Sequence, residues 1–159
     1  MSVLSNTGIR AGASGASAGG GDTWHTSEHT FSDDVSASAG YKTGSEAPNM
    51  FNGSTSGPCE PYDDSTVTWD AENGSSGALT VSSFRVYVVC GGSVDDSDFT
   101  VNGTNYGDAV VSALGNGTAG WFSLSGISTF NNSTWHHDSG AASTEVFAWE
   151  SDGIILEDQ

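Results

Sequence analysis

The chain has 159 residues, enough for one domain with an arm, and only 35% of them are apolar. Twenty acidic residues face three basic ones, Arg10, Lys42 and Arg85, for a formal charge of −17. That charge repels phosphate backbones and anionic bilayers, and no run of 18 apolar residues is present, which argues against nucleic acid as a partner and against membrane insertion.

The first ten residues form a short apolar peptide in which Val3, Leu4 and Ile9 flank Asn6-Thr7-Gly8 and Arg10 adds a charge. Residues 11–21, Ala-Gly-Ala-Ser-Gly-Ala-Ser-Ala-Gly-Gly-Gly, are too poor in apolar surface to offset the entropy of ordering and are expected to serve as a tether. The two together predict an arm, residues 1–21, that docks on a larger assembly or a sister subunit; the alternative is a frayed terminus. The opening residues lack the basic, then apolar, pattern of a secretory leader and are not expected to act as one. Residues 22–46 are expected to be an extended polar linker with one strand-like piece, Thr30 to Val35, and the domain proper is expected to occupy residues 47–159.

Within that domain short apolar runs alternate with Gly-, Ser- and Asn-rich turns. Strands are predicted at Thr66–Trp69, Ala78–Ser82, Arg85–Cys90, Phe99–Val101, Thr104–Tyr106, Ala109–Leu114, Trp121–Ile127, Thr134–His136, Glu145–Glu150 and Ile154–Glu157. Phe84, Val86, Val88 and Cys90 share one face of their strand and Arg85, Tyr87 and Val89 the other. Asn102-Gly103 and Asp152-Gly153 sit between strand-like runs and predict two tight hairpins, because both residue types tolerate the positive φ such turns need. Helical periodicity is confined to Asp108–Leu114, which could instead form a turn or two of helix. Many short strands with Gly-rich turns predict an all-β, antiparallel sandwich of jelly-roll type behind an extended N-terminal arm.

Two cysteines are present. A bridge between Cys59 and Cys90 would close a loop of about thirty residues and add roughly 3 kcal/mol by the chain-entropy model. The alternative is two unlinked thiols, Cys90 buried in a strand and Cys59 in a loop.

The opening Leu4-Ser-Asn-Thr-Gly-Ile-Arg-Ala-Gly-Ala-Ser-Gly-Ala resembles the start of virion structural and tail-fibre-like proteins of marine tailed phages. The ordered set Ala47-Pro-Asn-Met-Phe-Asn-Gly-Ser-Thr-Ser, Val67-Thr-Trp, Ser82-Ser-Phe-Arg-Val-Tyr-Val, Phe99-Thr-Val-Asn-Gly, Trp121-Phe-Ser-Leu-Ser-Gly and Val146-Phe-Ala-Trp-Glu-Ser-Asp-Gly-Ile-Ile-Leu is similar to galactose-binding-like (discoidin-type) β-sandwich modules of those proteins. The resemblance covers most of residues 47–157. It implies a jelly-roll sandwich, a non-enzymatic role in attachment or display, and a location on a virion that is assembled in a host cytoplasm and released by lysis. It also implies a structural Ca²⁺ held by Asn52, Thr55 and Glu150. Asn52 stands where the pattern usually has Asp, and Trp149 where it usually has Ile, so one formal charge is missing from the implied cation site.

No catalytic residue is expected. The acidic pairs Asp33-Asp34, Asp63-Asp64 and Asp95-Asp96 all lie in Ser- and Gly-rich sequence, where nothing apolar would raise a carboxyl pKa for general-acid work. A sugar site needs an exposed aromatic beside short polar side chains. Trp135, His136 and Tyr62 are the candidates, Trp135 because Asn131-Asn-Ser-Thr-Trp-His-His-Asp reads as a loop edge. Three functions therefore stay open: a virion fibre, spike or decoration subunit that contacts other virion proteins and self-associates, most simply as a trimer; a receptor-binding lectin for a host surface glycan; and a secreted carbohydrate-binding module of a halophile.

Overall fold

A computed structural model describes residues 30–91, 98–137 and 143–158, and these described residues form antiparallel sheets with a single short α-helix. Two 3-10 turns, Phe31–Asp34 and Ala47–Phe51, alternate with the first strand. The strands are β1 (Val35–Ala37), β2 (Ser65–Asp70), β3 (Leu79–Thr80), β4 (Phe84–Cys90), β5 (Phe99–Val101), β6 (Thr104–Asn105), β7 (Gly120–Ser123), β8 (Thr129–Phe130), β9 (Asn132–His137), β10 (Thr144–Ser151) and β11 (Ile154–Ile155). The helix, α1, spans Gly107–Leu114. One sheet runs β1-β2-β9-β5-β6 and the other β11-β10-β4-β7, with β3 and β8 paired separately.

The inner faces of the two sheets meet over an aromatic core. Trp69 of β2 and Trp149 of β10 lie 5.1 Å apart, ring centre to ring centre, and Phe84, Phe99 and Phe130 close around Trp149 at 5.4, 6.1 and 5.6 Å. Strict alternation builds this core: Phe84, Val86, Val88 and Cys90 are buried while Arg85, Tyr87 and Val89 are only partly covered. A row of large rings fills the space between sheets and leaves no fluid centre.

Both predicted hairpins are present with the expected backbone. Asn102 and Gly103 have φ of 48° and 76°, Asp152 and Gly153 of 52° and 85°, and each pair bridges adjacent antiparallel strands through a two-residue loop. The Asp152 carboxylate also accepts hydrogen bonds from the backbone N–H groups of Ser83 and Ser82, at 2.6 and 3.1 Å, so the turn fixes the entry to β4.

Three expectations about this framework change. Residues 109–114 are helix, as Val110 reaches the core from a one-sided apolar stripe. Part of the expected 22–46 linker packs onto the domain: β1 pairs with β2, Phe31 is buried at 5.4 Å from Phe51, and Tyr41 bridges Pro61. The Cys59–Cys90 bridge is absent, and both thiols are free and buried. Cys59 pairs with Val146 along one edge of β10, while Cys90 pairs with Thr144 along the opposite edge. With β10 between them and a two-residue offset along it, the two Cα atoms are separated by at least two inter-strand spacings, about 9–10 Å or more, beyond the roughly 7 Å that a disulfide spans. The arm residues Val3, Leu4, Asn6, Ile9 and Arg10 lie outside the described residues.

Candidate functional site

The two outer faces of the sandwich differ in chemistry. The β2-β9-β5 face presents Thr66, Thr68, Thr100, Thr134 and His136, an ordinary solvated strand surface. His136 belongs to it, its ring nitrogen Nδ1 3.2 Å from the Thr66 hydroxyl. The outer face of the other sheet is aromatic. Tyr87 of β4 stands edge-on to Trp121 of β7 at 5.4 Å and to Phe147 of β10 at 5.6 Å, and all three rings are partly exposed. The register places Trp121 directly opposite Tyr87. A β-bulge between Val146 and Ala148 lets Phe147 lie on the same side, since an extra residue in one strand re-aims its side chain.

Arg85 extends this row. Its guanidinium carbon lies 4.5 Å from the Trp121 ring centre, a cation–π contact, while Nε and an Nη bond both oxygens of Glu150 at 2.5 and 2.6 Å. The hydrogen bond to Glu150 raises the Arg85 pKa further. The fork spends two of five guanidinium N–H groups on the carboxylate. Below Arg85 opens a pocket of about 210 Å³ between the start of β4 and the segment after β7, with Ser82, Ser83, Ser123 and Ser125 at its rim and Phe84 and Leu124 at its base.

Compared with protein-family models, curated proteins and solved structures, the chain matches none.

The expected sugar and cation residues fall in different places. Trp135 is 1% exposed on the inner face of β9 and cannot stack on a ligand, because alternation from Ser133 and His137 turns it inward. His136 is on the outer threonine face, and Tyr62 is half exposed in the segment after the Tyr41–Pro61 bridge. For the cation, Glu150 is committed to Arg85, and the Asn52 side-chain oxygen accepts the Ser54 N–H at 2.9 Å. Thr55 lies in the same turn, and the carboxylate that reaches this turn is that of Glu157, not Glu150: a Cβ on Gly53 would come within 3.2 Å of a Glu157 oxygen. Among the described residues no group of three His, Cys, Asp or Glu side chains is arranged to hold a metal ion.

A second polar cluster ties residues 41–63 to the end of β9. The Lys42 ammonium contacts the Glu60 carboxylate and lies 3.7 Å from Asp63, and His137 Nε2 approaches the same two oxygens at 3.6 Å (Asp63) and 3.9 Å (Glu60). Burial, and then the charge of Glu60, push the Glu145 carboxyl above the usual range, against the smaller opposing pull of His137 and Lys42. The ammonium fills the point where the carboxylates converge, so the cluster is an internal tie between chain segments.

Proposed function

We propose that this chain is a non-enzymatic virion subunit, a fibre, spike or decoration protein, whose residues 1–21 dock to the particle and whose sandwich is displayed outward. The sandwich is read as a jelly roll of galactose-binding-like type. The phage resemblance of the opening peptide and the ordered motif set support this reading; the motif set begins on the Ala47–Phe51 3-10 turn and continues on β2, β4, β5, β7, β10 and the two tight hairpins of one mainly β body.

The observation that carries the adhesive role is the inequality of the two outer faces. One is a threonine surface of the kind any solvated sheet presents; the other exposes a continuous row, Phe147, Tyr87 and Trp121, extended by Arg85. Contiguous partly exposed aromatics mark a surface that is covered when the protein works. On a virion the covering group is another virion protein, a sister subunit in a symmetric oligomer such as a trimer, or a host surface glycan. Repetition of a weak site on one particle would multiply its effective affinity.

The test is composition of the particle. Peptides of this chain in density-purified virions from a lysate that encodes it, enriched with the capsid and tail proteins, would support the reading. Finding the chain only in the soluble fraction would overturn it. A second reading, a lectin for a host glycan, is favoured by the pocket of serine hydroxyls that adjoins the aromatic row through Arg85.

A further inference from the structure

The Arg85 pocket carries more detail than adhesion in general. Its walls are fixed before any ligand arrives: Asp152 holds the backbone of Ser82 and Ser83 from the hairpin turn, and the Leu124 N–H donates to the Phe84 carbonyl at 2.9 Å. A site whose groups are already ordered loses little entropy on binding. At about 210 Å³ it is smaller than the roughly 300–1,000 Å³ of sites for drug-sized ligands, and its rim is built of short hydroxyls over the apolar base of Phe84 and Leu124. That combination suits one sugar ring, with hydroxyls to meet serines and the remaining guanidinium N–H groups, and C–H faces to meet carbon.

Charge selects among sugars. Arg85 is the only basic residue among those at the pocket and row, and Glu150 neutralises it, while Asp152 adds a further negative charge beside Ser83. A sulfate, uronate or sialate would find no unspent cation here and would be repelled by a chain of charge −17. A second copy of this chain would bring the same −17 to the face. An uncharged ligand meets neither penalty.

Resting on the lectin reading, we propose that the pocket between Ser82–Arg85 and Ser123–Ile127, together with the Trp121–Tyr87–Phe147 row that Arg85 joins to it, binds a neutral carbohydrate chain. One ring occupies the pocket and the following rings lie along the aromatic row.

The experiment is affinity electrophoresis and microarray binding of the full chain against neutral polysaccharides (laminarin, mannan, dextran, galactan) and acidic ones (alginate, hyaluronate, heparin), at low and high salt. A neutral glycan should bind with affinity that changes less than about twofold with salt, as expected where no ion pair forms across the contact. Trp121→Ala should weaken it about tenfold or more, the loss typical of a truncated aromatic anchor. Ser123→Tyr, an exposed position at the pocket rim from which the added ring can occupy the pocket over Phe84 and Leu124, should do the same if Trp121→Ala proves unstable. Thr68→Ala on the opposite face should bind as the parent does. Neutral binding that survives both Trp121→Ala and Ser123→Tyr would overturn this site while leaving the lectin reading intact. Binding of acidic glycans alone would overturn the neutral assignment. Binding of no glycan, with the chain present in virions, would overturn the inference and the lectin reading together and leave the structural one.

Discussion

Gly74→Ala is a sharp test of whether residues 31–34 belong to the domain. The Asp34 carboxylate receives the Ser75 N–H at 2.6 Å, the Ser75 hydroxyl at 3.1 Å and the Ser76 N–H at 2.9 Å, which pins the turn before β1 to the loop after β2. Gly74 has no positive φ, so alanine is allowed by its backbone, but a Cβ there would stand 2.2 Å from Asp34 Cγ and 2.3 Å from Oδ1. The carboxylate must move and surrender its bonds. Each hydrogen bond to a charged acceptor is worth about 1.5–3 kcal/mol; with three such bonds in a largely exposed loop, where water replaces most of their worth, a net loss of roughly 2 kcal/mol is expected, or about 4–8 °C in midpoint for a chain of this size. Urea and thermal unfolding of the full chain, followed by circular dichroism, measure it. In an Asp34→Ala background the same glycine substitution should cost less than about 0.5 kcal/mol, since the clashing group is gone. Burial pushes the Asp34 carboxyl up, but the bonds from Ser76 and Ser75 together outweigh it and hold the pKa below the ordinary aspartate value. The stabilisation is therefore present above that ordinary value and is lost as pH falls through the lowered one, and the penalty of Gly74→Ala should fade over the same range. An equal penalty with and without Asp34 would refute the reasoning.

Four further outcomes are expected. Burial first, and then the charge of Glu46, push the Cys59 thiol up to about 12, and burial also raises Cys90, so a thiol reagent should modify neither in the native protein and both in urea, and a reductant should leave the melting temperature unchanged. A form of altered mobility on a non-reducing gel would contradict this. Glu145→Gln should raise the unfolding midpoint at neutral pH, because the folded state disfavours the charged form; the gain should vanish below the ordinary glutamate value, where the group is protonated in both states. Trp149→Ala, which empties the centre of the ring cluster, should cost about 3–5 kcal/mol by urea titration, whereas Trp121→Ala on the outer face should cost far less. Adding Ca²⁺ or a chelator should leave the melting curve in place, since Glu150 and Asn52 spend their oxygens within the protein; a rise of several degrees with Ca²⁺ would show a site using other oxygens, with Glu157 the first to mutate.

What could be read from the sequence was local. Asn102-Gly103 and Asp152-Gly153 specify their hairpins because positive φ is demanded at both turn positions, and β4 shows its two faces in a clean period of two. The long-range pairings were hidden. The polar stretch before residue 47 conceals Phe31 among serines and acids, and only contact with Phe51 and Trp69 makes it core. Strand β8 is two residues long and has no period to detect. At the site, Asn132–His137 alternates clearly enough to place Trp135 with Ser133 and His137, but its asparagine-rich approach suggested a loop edge. For Gly120-Trp-Phe-Ser, alternation sends either Trp121 or Phe122 outward, and only the pairing of Trp121 with Tyr87 and of Phe122 with Val86 decides which. The Phe147 bulge and the Arg85–Glu150 fork likewise depend on register between strands far apart in the chain.

Hydrogen–deuterium exchange of the full chain, with and without the partner it is found to bind, tests the adhesive face most directly. Protection confined to the segments 84–90, 120–127 and 144–151, with the β2-β9-β5 strands unchanged, is the predicted footprint. Protection on the threonine face instead, with Tyr87, Trp121 and Phe147 as open as before, would contradict the account.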